Sequence, residues 1–166
     1  MTLASRRPDL VEALIVADIA PAAYGHSLTP EIDAMRGVDL AGMTRRSEVE
    51  AALEADVPER AVRAFLAHSA ILDDAPRWTL NLDALRANMD LITGFPNLSE
   101  AYRGPTLFLT GGASHYVRES HRSEVLRLFP AAEHEALPGA GHWLHVDKPR
   151  EFLDAVNGFL DKVGDG

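Results

Sequence analysis

Apolar residues along the chain fall into two patterns, short continuous runs and helical periodicities. The runs at residues 11–17 and 105–110 are nearly uninterrupted and are bounded by charged residues or glycine. Such runs are typical of strands that are covered on both faces in a parallel sheet. A shorter run at residues 134–137 predicts a third strand.

Between the first two predicted strands, the apolar residues recur at helical spacing, which predicts a helical insertion. One helix is expected to open at Thr29 or Pro30. A second is expected to begin at Ser47, with Glu50 completing a capping box. A third should follow Pro58, with Val62, Phe65, Leu66 and Ser69 at the spacing of one helix face.

The rest of the pattern predicts three more helices. Leu82, Leu85, Met89 and Ile92 would share one face of a helix over residues 81–92. Residues 119–129 form the next periodic stretch, and the last helix should begin near Pro149, since proline is favoured in a first turn.

The order strand, helical insertion, strand, helix, strand, helix predicts an α/β fold with a parallel sheet. We therefore divide the chain into residues 1–21 (a strand and the end of a flanking helix), 22–103 (a helical cap) and 104–166 (the remaining strands and helices). Nothing before the first strand can supply its outer neighbour. Its free edge is expected to serve a dimer or a complementing half.

Composition narrows the possible partners. The net charge is −9 and the sequence pI is about 5.2, which argues against nucleic acid or an anionic membrane surface. The chain has no cysteine, so disulfides and thiolate nucleophiles are excluded. Its apolar runs are far shorter than the roughly 20 residues of a membrane span. With no secretory leader pattern, we expect a cytoplasmic protein.

His142 is the strongest candidate for chemistry. It follows a predicted strand in the turn Gly139-Ala-Gly-His-Trp143, where glycines allow a sharp bend that exposes the imidazole. An exposed histidine suits a general base; the alternative is a loop histidine without a role. With His145 it forms His-x-x-His, but no third nitrogen ligand is well spaced, so no metal is expected, nor any cofactor. Asp147 is predicted to cap the last helix.

Four segments, taken in order, resemble the second half of an α/β-hydrolase. They are residues 7–21, ending Asp-Ile-Ala-Pro; 78–88 with Gly-Phe-Pro at 94–96; 105–112; and Pro-Gly-Ala-Gly-His-Trp at 138–143. Their details are similar to a bacterial esterase subgroup whose members act on acyl esters and sometimes on acyl-CoA thioesters. The resemblance covers nearly the whole chain and implies a partial α/β-hydrolase fold with a helical cap.

The resemblance also implies roles for individual residues. In that family a Ser-His-acid triad hydrolyses the ester, which makes His142 the base. In the family, the acid commonly follows the strand that is predicted here over residues 105–110, yet residues 111–118 contain no carboxylate. The esterase subgroup resembles this chain in having its acid after the preceding sheet strand, where Asp18 lies. The alternative role of Asp18 is a turn carboxylate. Trp143, Trp78 and Phe95 would line an acyl pocket or serve as packing residues.

The sequence contains no Gly-x-Ser-x-Gly nucleophile motif. Gly25-His-Ser27-Leu-Thr29 matches only in part, and we interpret Ser27 as a loop or cap serine. We expect the chain to start at an internal methionine and, lacking nucleophile and oxyanion hole, to be inactive alone. Two alternatives stay open: a half-domain that pairs with a separate chain supplying the serine, and a dehalogenase or epoxide-hydrolase type with an aspartate nucleophile.

Overall fold

The computed structural model describes residues 1–25 and 28–164, so Ser27 lies outside the described residues. The chain forms two compact units. The core unit comprises Met1–Ala22 and Phe95–Gly166, and the inserted unit comprises Ala23–Gly94. The sequence places the end of the insertion later, at residue 103, and that division stays a prediction.

The core unit contains a three-stranded parallel sheet with helices on both faces, as the sequence predicts for an α/β fold. Numbered in chain order, its elements are α1 (Thr2–Arg6), β1 (Leu14–Ala17), β4 (Thr106–Gly111), α7 (Arg122–Leu128), β5 (Ala132–Leu137), α8 (Leu144–Asp147) and α9 (Pro149–Gly164). The strand order is β1-β4-β5, and residue Thr106 of the central strand pairs with Leu14 on one side and Ala132 on the other.

Side chains of β4 alternate between the two faces of this sheet, and both faces are buried. Phe108 packs on one face with residues of α1 and α7, including Val125 and Leu128. Leu107 and Leu109 pack on the other face with Phe159 of α9. The continuous apolar run of the sequence is explained by this two-sided burial.

Two short segments adjoin the sheet of the core unit. β1 begins at Leu14, not residue 11, because Pro8–Leu10 form a 3₁₀ turn before it. Residues after Gly94 pack in the core unit: the Tyr102 hydroxyl donates to the Val11 carbonyl at 2.9 Å, and burial raises the pKa of Tyr102. A tyrosine buried with a bonded hydroxyl anchors this segment beside the sheet.

The inserted unit is helical and has its own core of buried apolar residues, among them Met35, Val49 and Leu53. One feature not predicted from the sequence is a small antiparallel hairpin. Its elements are α2 (Thr29–Gly37), α3 (Arg46–Ala52), α4 (Arg60–Ala67), β2 (Ala70–Ile71), β3 (Arg77–Trp78), α5 (Leu82–Ala87) and α6 (Met89–Thr93).

The single helix predicted over residues 81–92 is wrong. Asn88 leaves helical geometry, with φ −114° and ψ 15°, and separates α5 from α6. Its side chain donates to the Ala84 carbonyl at 2.8 Å, so the amide competes with the backbone for the helical hydrogen bonds. Leu82 and Met89 remain buried, while Ile92 is 53% exposed.

Two other helix predictions for the inserted unit are wrong in detail. α3 begins one residue before Ser47, and Glu48, rather than Glu50, accepts the amides of Thr44 and Arg45, at 2.8 and 3.0 Å. Phe65 of α4 was predicted on the apolar face, but it is 65% exposed. Spacing identifies a helix face without saying how far burial extends around it. Of the described residues, none belongs to a helix long and apolar enough to cross a membrane.

Gly111 ends β4 where the backbone of the His142 turn passes closely. A Cβ added there would lie 2.6 Å from the Ala140 carbonyl oxygen and would also meet that of Gly141. We expect Gly111→Ala to destabilise the protein by about 1–3 kcal/mol, because backbone cannot move aside cheaply. Urea unfolding would measure this change.

The matched control is Gly158→Ala in the middle of α9, where an added Cβ meets nothing within 4 Å. This substitution should stabilise the protein by about 0.5–1 kcal/mol, since alanine restricts the unfolded chain and favours helix. An unchanged unfolding midpoint for Gly111→Ala would contradict the close approach.

Candidate active site

Asp18 lies immediately after β1 and turns the chain out of the sheet. Its amide still donates to the Leu109 carbonyl at 2.8 Å, which extends the pairing of β1 with β4 by one residue. Its φ is +49°, and it is the one non-glycine residue with positive φ in the described chain. Aspartate tolerates this left-handed geometry better than most residues.

The Asp18 carboxylate is buried, with 1% of its surface exposed, and it receives three hydrogen bonds. Oδ1 accepts the Gly111 amide at 3.0 Å. Oδ2 accepts the Ser114 hydroxyl at 2.5 Å and bonds to Nδ1 of His142 at 2.8 Å. A buried charge is tolerated when it is hydrogen-bonded in this way.

His142 is thus brought against Asp18 from 124 positions away in the chain. An ionised carboxylate can only accept, so Nδ1 carries the proton and Nε2 keeps its lone pair. The His142 side chain is 38% exposed, whereas Asp18 is covered. The pair therefore combines a fixed, buried acceptor with an imidazole that solvent or a ligand can reach.

The turn that carries His142 is held by its own hydrogen bonds. Gly139 adopts φ +75°, which favours glycine. The Gly141 amide donates to Oδ2 of Asp147 at 2.7 Å, and the Ala140 carbonyl accepts the Ala113 amide at 2.9 Å. The prediction that Asp147 caps the last helix does not describe this contact, because the carboxylate is bonded to the turn that precedes α8.

The loop after β4 supplies two side chains that the sequence did not identify. Ser114 bonds to Asp18, and its Oγ also accepts the Tyr116 amide at 3.2 Å. The Tyr116 ring stacks on the imidazole of His142, with centroids 3.7 Å apart and planes 12° from parallel. The position of this loop could have identified it. It follows a predicted strand parallel to β1, so the loop and Asp18 lie at the carboxyl ends of neighbouring strands.

The three aromatic residues proposed for an acyl pocket lie in different surroundings. Trp143 is half-buried directly after His142. Phe95 packs against the core-unit cluster that contains Phe108. Trp78 lies on β3 and packs against the core of the inserted unit. Their role in substrate binding stays a prediction.

Within the part of the chain that the structure describes, no three histidine, aspartate or glutamate side chains are close enough to hold an ion. The carboxylates of Asp18 and Asp147 are instead bonded to His142 and to the Gly141 amide.

Comparisons with known proteins find esterases and lipases. No family model matches the chain. It is 43% identical over 167 residues to the sn-1-specific diacylglycerol lipase ABHD11 of Mus musculus, covering 96% of this chain and 54% of the mouse protein. It is 32% identical over 162 residues to esterase YbfF of Escherichia coli (strain K12), covering 97% of this chain and 62% of that protein.

A solved structure described as a marine microorganism esterase matches with a TM-score of 0.86 at 30% identity. That match covers 95% of this chain and 64% of the esterase chain. The chain spans about half the length of the diacylglycerol lipases that it matches. These findings agree with the parallel sheet and flanking helices described above.

The Asp18 contacts lead to a stability prediction. Asp18→Ala leaves the Gly111 amide and the Ser114 hydroxyl without their acceptor, at a cost of about 1–3 kcal/mol for a buried unsatisfied group. It also places alanine at a left-handed position, which costs about 1–2 kcal/mol. We expect urea unfolding to show Asp18→Ala well below the wild type in free energy of unfolding.

Asp18→Asn is the matched control. Asparagine tolerates the left-handed conformation, and its amide oxygen can still accept the Gly111 amide. Its loss of stability should therefore be clearly smaller than that of Asp18→Ala. Equal losses for the two variants would show that neither the backbone conformation nor the Gly111 bond stabilises the fold.

Proposed function

Because the chain belongs to the esterases of the α/β-hydrolase superfamily, we propose that it supplies the base and acid of a triad that hydrolyses acyl esters. The observation that carries this proposal is the 2.8 Å contact between Asp18 Oδ2 and His142 Nδ1. A buried carboxylate that fixes the tautomer of a reachable imidazole is what triad chemistry requires.

In the proposed reaction, Nε2 of His142 takes the proton of a serine hydroxyl as that oxygen attacks the ester carbonyl. The imidazolium then gives the proton to the leaving alcohol as the ester bond breaks, and the negative charge of Asp18 stabilises the imidazolium meanwhile. Water next attacks the acyl-serine while His142 takes its proton. The acyl–serine bond breaks, and His142 returns the proton to the serine oxygen as the carboxylic acid leaves. The Gly111 amide and the Ser114 hydroxyl donate to the Asp18 carboxylate and hold it in place beside the imidazole.

The substrate is a small acyl ester in this proposal, and Trp143, next to His142 in the chain, would contact it first. Phe95, also a residue of the core unit, would contribute to the acyl pocket. Two relatives, an sn-1-specific diacylglycerol lipase and an esterase, support an ester bond as the target.

We also propose that the 166-residue chain has no measurable turnover by itself. Its sequence contains no Gly-x-Ser-x-Gly, and losing even one oxyanion donor costs about 3–4 kcal/mol of transition-state stabilisation. A nucleophile supplied by another segment or chain would have to reach His142 at the carboxyl ends of the strands. β1 pairs with β4 alone among the described strands, so the unpaired side of β1 can accept a strand from such a partner or from a second copy.

The test compares this chain with the product of its coding region read upstream in frame to the nearest Gly-x-Ser-x-Gly. With p-nitrophenyl butyrate as substrate, we expect the longer product to be active and the 166-residue chain to be inactive. In the longer product, Asp18→Asn should lower kcat by roughly 10⁴-fold, because an amide in place of the carboxylate favours the wrong imidazole tautomer.

His142→Ala should abolish activity of the longer product, and His145→Ala is the matched control. His145 is an exposed histidine on α8 whose ring lies 6.2 Å from that of Phe152, and its loss should leave the rate unchanged. Wild-type turnover by His142→Ala would refute the proposed base. Turnover by the 166-residue chain that depends on His142 would refute its proposed inactivity.

A further inference from the structure

The imidazole of His142 is held at one point by its hydrogen bond to Asp18. That bond sets the distance from Nδ1 to a buried oxygen, but coupled changes of χ1 and χ2 can keep this distance while the ring tilts. The χ2 torsion of histidine is broad and adds little restraint of its own. A second contact can therefore decide the tilt of the ring, and with it the direction in which Nε2 points.

Tyr116 makes that contact. Its ring lies nearly parallel to the imidazole, with 12° between the two planes and centroids 3.7 Å apart. At this separation the two rings are in van der Waals contact over a whole face. A tilt of the imidazole about its bond to Asp18 would drive its edge into the phenol ring, so stacking opposes the motion that the hydrogen bond still permits.

The backbone of Tyr116 is tied to the same carboxylate that holds His142. The Tyr116 amide donates to Ser114 Oγ at 3.2 Å, and the Ser114 hydroxyl donates to Asp18 Oδ2. Asp18 Oδ2 therefore positions the base twice, once by its bond to Nδ1 and once through the loop that carries the stacked ring. Tyr116 therefore differs from an aromatic residue that lies beside His142 by chance, because its backbone is bonded through Ser114 to the acid itself.

We propose that Tyr116 is a positioning residue that fixes the ring plane of His142 and so aims Nε2. The inference rests on the proposed role of His142 as base, but the ring geometry can be tested without turnover. A flat aromatic side chain is what the position requires.

The experiment is NMR of the 166-residue chain with ¹⁵N- and ¹³C-labelled histidine, comparing the wild type with Tyr116→Leu and Tyr116→Phe. Protons over an aromatic face are shielded, so the His142 ring protons should resonate upfield in the wild type. Tyr116→Leu should move them downfield and speed exchange of the Nδ1 proton with water. Tyr116→Phe should preserve both signals.

His134 is an internal control, since its ring stacks on Phe108 at 5.5 Å and 23°, apart from the Asp18 contacts. Its signals should be the same in all three proteins. Unchanged His142 ring protons in Tyr116→Leu would overturn the proposal. If the leucine variant does not fold, the phenylalanine variant decides: retained shielding supports ring stacking, and lost shielding in a folded protein overturns it.

A kinetic measurement separates this inference from the proposed function. In an active serine-containing product, Tyr116→Leu should lower kcat by up to about 100-fold, as expected for a misplaced catalytic group, with little change in KM. An unchanged kcat would overturn the positioning role even if the rings are stacked. Full activity of His142→Ala would instead remove the proposed function, while the NMR result on ring geometry would stand.

Discussion

The structure of the candidate site depends on one buried carboxylate. Asp18 is almost fully covered, and burial of a charge is costly unless its oxygens are bonded. Its three donors come from the end of β4, from the loop after β4 and from the turn after β5. The carboxylate therefore joins these three segments to the end of β1. Interactions that stabilise the edge are the same ones that orient His142.

The position of the acid on the first strand changes what the next strand's loop can do. β1 and β4 are parallel neighbours, so a carboxylate after either strand reaches the same edge of the sheet. With Asp18 providing it, the loop after β4 needs no carboxylate. That loop instead contributes the hydroxyl of Ser114, which bonds to the acid, and the ring of Tyr116, which stacks on the base.

The sequence predicted the parts of this arrangement that depend on local pattern. Continuous apolar runs predicted the parallel strands, and the glycines around His142 predicted an exposed turn. The pairing of Asp18 with His142 came from resemblance, since periodicity carries no information across 124 positions. Ser114 was missed for that reason, as its partner lies 96 positions away. Phe65 and Asn88 were mispredicted because spacing alone does not report burial or a local side-chain bond to the backbone.

The left-handed conformation of Asp18 performs two tasks at once. A residue that continued β1 in extended geometry would point its side chain to one face of the sheet, away from the strand end. With φ at +49°, the amide completes the last bond to Leu109 while the chain turns away, and the inserted unit begins at Ala23. The carboxylate is left at the end of the sheet, beside Gly111 and His142. A small polar residue adopts this geometry at a lower cost than a larger residue does. The same residue therefore sets where the chain leaves the sheet and where the acid lies.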